Sequence, residues 1–207
     1  MLRLLLPFLV WFAAIPLAAQ SPPAAPAAQT SRVALDTSEG LIVLELERAR
    51  APVTTANFLR YVDEKRLDGV NFYRSVRVAP DFGFVQFGVR NEPKRVLPPI
   101  KHEPTTQTGV KHLDGAISIA RNAPGTASGD FTIMVGDQPS LDADPTRPGD
   151  NQGYAAFGRV VEGADVVRRI LEAPKSPDAG PFKGEMLAQP VRVFSARRVA
   201  EAASPAS

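Results

Sequence analysis

The residues that could do chemistry in this chain are few, and their types narrow the choice at once. There is no cysteine, and the two histidines, His102 and His112, lie ten positions apart. The missing thiols exclude disulfides, thiolate metal sites and cysteine nucleophiles together. Both histidines fall in loop-like sequence without a cluster of Asp or His ligands, so the expected metal complement is none. Asp142, Asp144, Asp150 and Asn151 offer oxygen ligands. Pro145 and Pro148 break the spacing of a calcium-binding loop, and a solvated loop is expected instead. The run from Gly125 to Gly129 lacks the lysine of a phosphate loop. No Gly-x-Ser-x-Gly nucleophile elbow occurs. No other catalytic triad pattern stands out.

Five segments in order carry a resemblance. They are Phe72-Tyr73-Arg74, Val85-Gln86-Phe87-Gly88, Gly115-Ala116-Ile117-Ser118-Ile119-Ala120-Arg121, Gly129-Asp130-Phe131-Thr132-Ile133, and Tyr154-Ala155-Ala156-Phe157-Gly158-Arg159-Val160-Val161-Glu162-Gly163. Together they resemble the cyclophilin family of peptidyl-prolyl cis/trans isomerases, over residues 33–199. The family's reaction is rotation about an X–Pro bond, opposed by amide resonance with a barrier of ~18–20 kcal/mol. It requires no cofactor. An apolar pocket grips the proline ring, and hydrogen bonds hold the flanking backbone. A cationic donor then meets the proline nitrogen as that nitrogen regains its lone pair in the twisted state. A 10⁵-fold acceleration corresponds to roughly 7 kcal/mol at ~1.36 kcal/mol per decade.

The resemblance implies that Arg74 is the catalytic residue, with Arg77 as its rival, and that Gln86 lies beside it. Between Arg74 and Gln86 the chain carries about four residues more than the family's usual spacing, which leaves Phe82 and Phe84 competing for the pocket; Phe84 holds the usual position. Ala120, Asp130, Thr132, Leu141 and Tyr154 complete the implied substrate-binding set. Three of these and the neighbouring Ser140 depart from the family. Asp130 replaces a glutamine, and a carboxylate only accepts. Thr132 replaces a pocket phenylalanine, Tyr154 stands where histidine is frequent, and Ser140 stands where many members have tryptophan. Two functions follow: an isomerase, or a non-catalytic proline-peptide binder or holdase with a degenerate site.

The elements that must position these residues are mostly short strands. Two β-prone runs, 33–37 and 41–46, surround a Ser38-Glu39-Gly40 turn and read as a hairpin. Further strands are expected at 70–76, 83–89, 116–121, 131–135, 155–161 and 191–199. A helix opens at Ala51-Pro52, with Val53, Ala56, Phe58, Leu59 and Val62 near helical spacing, and should end near residues 66–69. A second helix spans 164–171. Many strands with two helices define a mainly β chain and point to an antiparallel barrel, and the resemblance implies a closed eight-stranded one capped by the two helices. Side chains fill a barrel of about eight strands, so a ligand must bind on its outer face.

Residues 1–19 combine a basic start, an apolar run broken by Pro7 and Pro16, and small residues before Gln20, the layout of a secretory signal peptide. A disordered leader is expected at 20–31, a cyclophilin-like domain at 32–199 and a disordered tail at 200–207. The expected location is periplasmic, without stable membrane insertion once the signal is removed. Lysine plus arginine number 24 against 22 acidic residues, and aromatics make up 7%. That balance argues against a nucleic-acid partner. The expected partners are proline-containing segments of exported proteins, met by a monomer.

Overall fold

The computed structural model describes residues 29–199. The expected signal peptide, residues 20–28 of the leader and the tail lie outside them. Strand alternation shapes the rest. In β2 (Gly40–Glu47) Ile42, Leu44 and Leu46 are fully buried, and β1 (Thr30–Thr37) buries Val33 and Leu35. The first strand begins earlier than the leader boundary implied. Thr30 and Ser31 pair with Glu47 and Leu46, so two residues assigned to the leader belong to the hairpin.

The remaining strands are β3 (Asn71–Ala79), β4 (Phe82–Gly88), β5 (Ala116–Ile119), β6 (Asp130–Val135), β7 (Ala155–Glu162), a two-residue β8 (Lys175–Ser176) and β9 (Met186–Val199). Eight of them run in the order β1-β2-β7-β5-β6-β4-β3-β9, all described pairings being antiparallel. Pairing of β1 with β9, from Arg32↔Val199 to Thr37↔Val193, closes the barrel. The short β8 adds to the start of β9 through Lys175↔Leu187 and Ser176↔Met186. The last strand therefore starts five residues before the expected 191, across the Pro190 that obscured it.

Helix α1 (Pro52–Asp63) begins with proline where no backbone donor is needed. The buried Glu103 carboxylate accepts from Val53 N (3.1 Å), Thr54 N (2.7 Å) and Thr54 Oγ1 (2.7 Å), satisfying free donors of the first turn. The apolar face differs from the expected one. Val53 and Ala56 are exposed, while Thr54, Thr55, Phe58, Leu59, Tyr61 and Val62 are buried. The helix ends before the expected 66–69 because Lys65 turns left-handed (φ 55°). Lys65 N then bonds Val62 O and Arg66 N bonds Tyr61 O, the paired closure of a Schellman motif. Besides α3 (Ala164–Glu172), the described residues hold one unexpected short helix, α2 (Thr105–Thr108), and a 3₁₀ turn at Pro139–Leu141.

Aromatic rings join the helix to the barrel interior. Phe58 meets Phe131 edge-on at 4.8 Å, and Phe72 packs on Phe87 at 4.6 Å. Phe131 is fully buried among them, and its loss to alanine would cost ~3–5 kcal/mol.

Candidate active site

A period of two decides which residues leave the core. On β4, Val85 and Phe87 point inward and are fully buried, which sends Phe84 and Gln86 to the outer face. Directly opposed residues share a face, so Met134 and Thr132 on β6 join Phe84 and Gln86 there. On β3 the alternation is interrupted. Phe72 pairs with Phe87 and Arg74 pairs with Gln86, so Tyr73 is an extra residue in a bulge. The bulge keeps Phe72 inside and brings both Tyr73 and Arg74 to the outer cavity.

That cavity has a volume of about 480 Å³. Arg74, Phe84, Gln86, Ala120, Asp130, Thr132, Leu141 and Tyr154 all line it, so the structure gathers every residue of the expected site in one place. Arg77 lies elsewhere, its Nε 2.8 Å from Glu172 at the end of α3. Phe82 also lies outside the lining, with its ring against Gly136. The extra residues between Arg74 and Gln86 lengthen the β3–β4 hairpin, whose tip is Pro80-Asp81.

Arg74 is held from two sides. Its Nη1 donates to Gln86 Oε1 (2.9 Å), and its Nε donates to Glu185 Oε2 (2.7 Å), which also lies 2.6 Å from Nη2. The Phe182 ring covers the guanidinium with its centroid 3.8 Å from Cζ, and Phe84 lies 5.4 Å away. A guanidinium has five N–H groups, so Nη1 and Nη2 each keep a donor beyond these contacts. The sequence reading missed Phe182 and Glu185. Their only local signal is the turn chemistry of Pro181-Phe182-Lys183-Gly184, and they lie more than a hundred residues from Arg74.

At the other end of the cavity Asp130 Oδ1 accepts from Tyr73 Oη (3.0 Å) and Arg90 N (3.2 Å). Burial pushes the Asp130 carboxyl up, partly offset by those two hydrogen bonds. Burial and the neighbouring Asp130 charge push the Tyr73 phenol up as well. Arg121 braces the Tyr154 segment. It donates to Gly153 O from Nε (2.9 Å) and grips both oxygens of Asp150 at 2.8 and 2.9 Å. Hydrogen bonding to Arg121 holds Asp150 down to about 2. Its guanidinium also lies 5.3 Å from the Tyr154 ring.

His112 serves the scaffold. His112 is buried, with Nδ1 2.8 Å from Asp142 Oδ1 and Nε2 2.9 Å from Ser118 Oγ. It ties the segment carrying Leu141 to β5. Burial holds the His112 imidazole below its ordinary range, against the opposing pull of Asp142. The acidic loop is internally paired: Asp144 bonds Thr146 and Arg147, and Asp150 bonds Arg121.

A closed eight-stranded barrel with an arginine–glutamine pair on its outer face defines a class, and the comparisons agree. Residues 32–196 match the family model described as cyclophilin type peptidyl-prolyl cis-trans isomerase/CLD. The chain is 39% identical over 173 residues to peptidyl-prolyl cis-trans isomerase cyp18 of Streptomyces antibioticus, covering 81% of this chain and 98% of that protein. It is 33% identical over 178 residues to peptidyl-prolyl cis-trans isomerase A of Dickeya dadantii, covering 84% and 88%. Its fold matches a crystal structure of a Cryptosporidium parvum cyclophilin type isomerase with a TM-score of 0.67 at 17% identity, over 84% of this chain and 99% of that one. The chain belongs to the cyclophilin-type peptidyl-prolyl cis-trans isomerase family.

Proposed function

We propose that this protein is an exported, periplasmic peptidyl-prolyl isomerase that rotates X–Pro bonds in the polypeptide segments of other exported proteins, acting as a monomer. The observation that carries the catalytic reading is the Arg74 guanidinium, fixed at three of its nitrogens yet keeping two N–H groups beside a cavity of mixed polar and apolar lining. Phe84, Met134, Leu141 and Phe182 supply the apolar grip for a proline ring. Gln86 orients Arg74 through its oxygen and keeps its amide N–H₂ for a peptide carbonyl. As the bond twists, the proline nitrogen becomes an acceptor, and a free Arg74 N–H binds it more strongly than it binds the planar amide. No proton changes owner.

The export part of the reading rests on residues 1–19, whose basic start, apolar run and small residues have the signal layout. The binder alternative draws on Thr132 and Asp130, which reduce apolar contact and backbone donation at the cavity wall. An exchange assay by NMR on an Ala-Pro or Leu-Pro peptide separates the two. Catalysed exchange is the expected result, whereas peptide binding without catalysis would replace the enzyme with the binder. Fractionation of the full chain tests export, and recovery with the cytoplasmic fraction would overturn it.

A further inference from the structure

We propose that Glu185 is a positioning residue for Arg74, delivered together with the Phe182 cover by a single turn of the β8–β9 connection. The inference rests on the catalytic reading of Arg74 given above. Residues 182–185 form that turn, closed by Glu185 N donating to Phe182 O at 3.1 Å. Gly184 occupies its third position with φ 75°, where a left-handed residue completes the turn at low cost. The two ends of the turn converge on one guanidinium, Phe182 stacked at 3.8 Å and Glu185 bonded at 2.7 Å.

The turn is fastened to the strand it serves. Ser75 N donates to Glu185 O at 2.9 Å, and Met186, the next residue, pairs with Arg74. The carboxylate therefore springs from backbone already in register with the catalytic side chain. Without it, Arg74 would be held by Gln86 alone, through one bond at Nη1. With it, the Nε side is occupied, and the unclaimed N–H groups are confined to Nη1 and Nη2.

The environment separates this contact from an ordinary surface pair. The Arg74 side chain is 18% exposed in its pair with Glu185, whereas Arg77 and Glu172 are 42% and 45% exposed in theirs. A planar guanidinium gripped along one edge and covered on one face has lost most of its freedom to rotate. A rival role exists for the same carboxylate. By neutralising the cation it could act as a brake, and then its removal would speed the reaction.

Isomerase kinetics on an Ala-Pro peptide decide between these roles, using the wild type, Glu185→Ala, Glu185→Gln, Arg74→Ala and the double variant Arg74→Ala/Glu185→Ala. Glu185→Ala is expected to lower kcat/KM about tenfold, mostly in kcat, because orientation at the twisted state is what is lost. Glu185→Gln should recover most of that loss, since an amide oxygen still accepts from Nε–H. In the Arg74→Ala background, Glu185→Ala should change the rate less than about twofold, as expected when one residue acts through another. On the folded proteins, the Arg74 Nε–H proton signal should be protected from exchange in wild type and Glu185→Gln, and lose protection in Glu185→Ala. An unchanged or faster Glu185→Ala, or an equal loss with and without Arg74, would overturn the inference while leaving the isomerase intact. An inactive wild type or a fully active Arg74→Ala would instead overturn the catalytic reading on which it rests.

Discussion

Replacing Arg74 with alanine removes the proposed donor to the twisted amide, and the size of the effect follows from the site's geometry. Gln86 and Glu185 hold Arg74 but do not exhaust it, so two N–H groups remain, either of which can meet the proline nitrogen. A hydrogen bond to a charged group contributes about 1.5–3 kcal/mol net. If that bond forms only at the transition state, kcat and kcat/KM should fall together by roughly ten- to 150-fold at ~1.36 kcal/mol per decade. Stability should change little. Arg74 lies on the outer face, away from the Phe72–Phe87 stack, and Glu185 is 35% exposed, so its carboxylate regains water. The lost ion pair and ring contact are each worth about 1 kcal/mol or less in such a setting. For a domain of this size the melting temperature should then drop by no more than about 8 °C. Exchange NMR on an Ala-Pro peptide, paired with a thermal melt, reads both quantities. Arg77→Ala is the control and should leave the rate unchanged, since Arg77 faces Glu172. Normal activity in Arg74→Ala would refute the assignment. So would a rate loss accompanied by collapse of the melting temperature.

Other perturbations test separate parts of the site. Thr132→Phe should tighten proline-peptide binding in an NMR titration, because the ring adds apolar area at ~25 cal/mol per Å² removed from water; weaker binding with an intact fold would mean that Phe84 and Phe182 already fill that space. Cyclosporin-type inhibition should be weak, since Ser140 and Thr132 offer no aromatic anchors of the kind that dominate binding energy, and nanomolar inhibition would refute this. His112 should make the fold acid-sensitive. Its folded value lies below the ordinary 6.5, so the stability it contributes is present above 6.5 and lost as pH falls through the folded value. Melting curves between about pH 7 and pH 5 should fall more steeply for wild type than for His112→Gln, and equal slopes would contradict the assignment.

Much of the architecture was legible because β-prone runs stand beside turn residues. The run 41–46 marks β2 next to the Ser38-Glu39-Gly40 turn, and the structure then shows which of its side chains, Ile42, Leu44 and Leu46, are fully buried. Arg74 and Gln86 were legible through the motifs around them, and their pairing then followed from hairpin register. The bulge at Tyr73 was not, because one unpaired residue leaves no mark on composition. The early end of α1 was missed for a related reason: it depends on Lys65 adopting a left-handed backbone, which glycine would have signalled and lysine does not. The start of β9 was hidden by Pro190, a residue that reads as a strand boundary until its neighbours are seen to pair on either side.

The departure at position 132 looks different once the strand order is known. Thr132 on β6 faces Gln86 on β4, Gln86 faces Arg74 on β3, and Arg74 faces Met186 on β9. The aromatic ring that the family resemblance leads one to expect beyond Gln86 is absent, while Phe182 enters from the β9 side and lies on Arg74 itself. Apolar surface thus stands against the cation as well as along the rest of the lining, at Phe84, Met134 and Leu141. A covered guanidinium is less screened by water, and its remaining N–H groups act more strongly on charge that develops beside them. The opposite wall, with a threonine at its centre, is left with less apolar area to hold a proline ring. On the proposed mechanism the two act on different quantities: the Phe182 cover would strengthen the step in which the bond is twisted, and Thr132 would weaken the grip on the ground state. Kinetics should therefore find these residues divided, with Phe182 and Glu185 felt mainly in kcat and Thr132 mainly in KM.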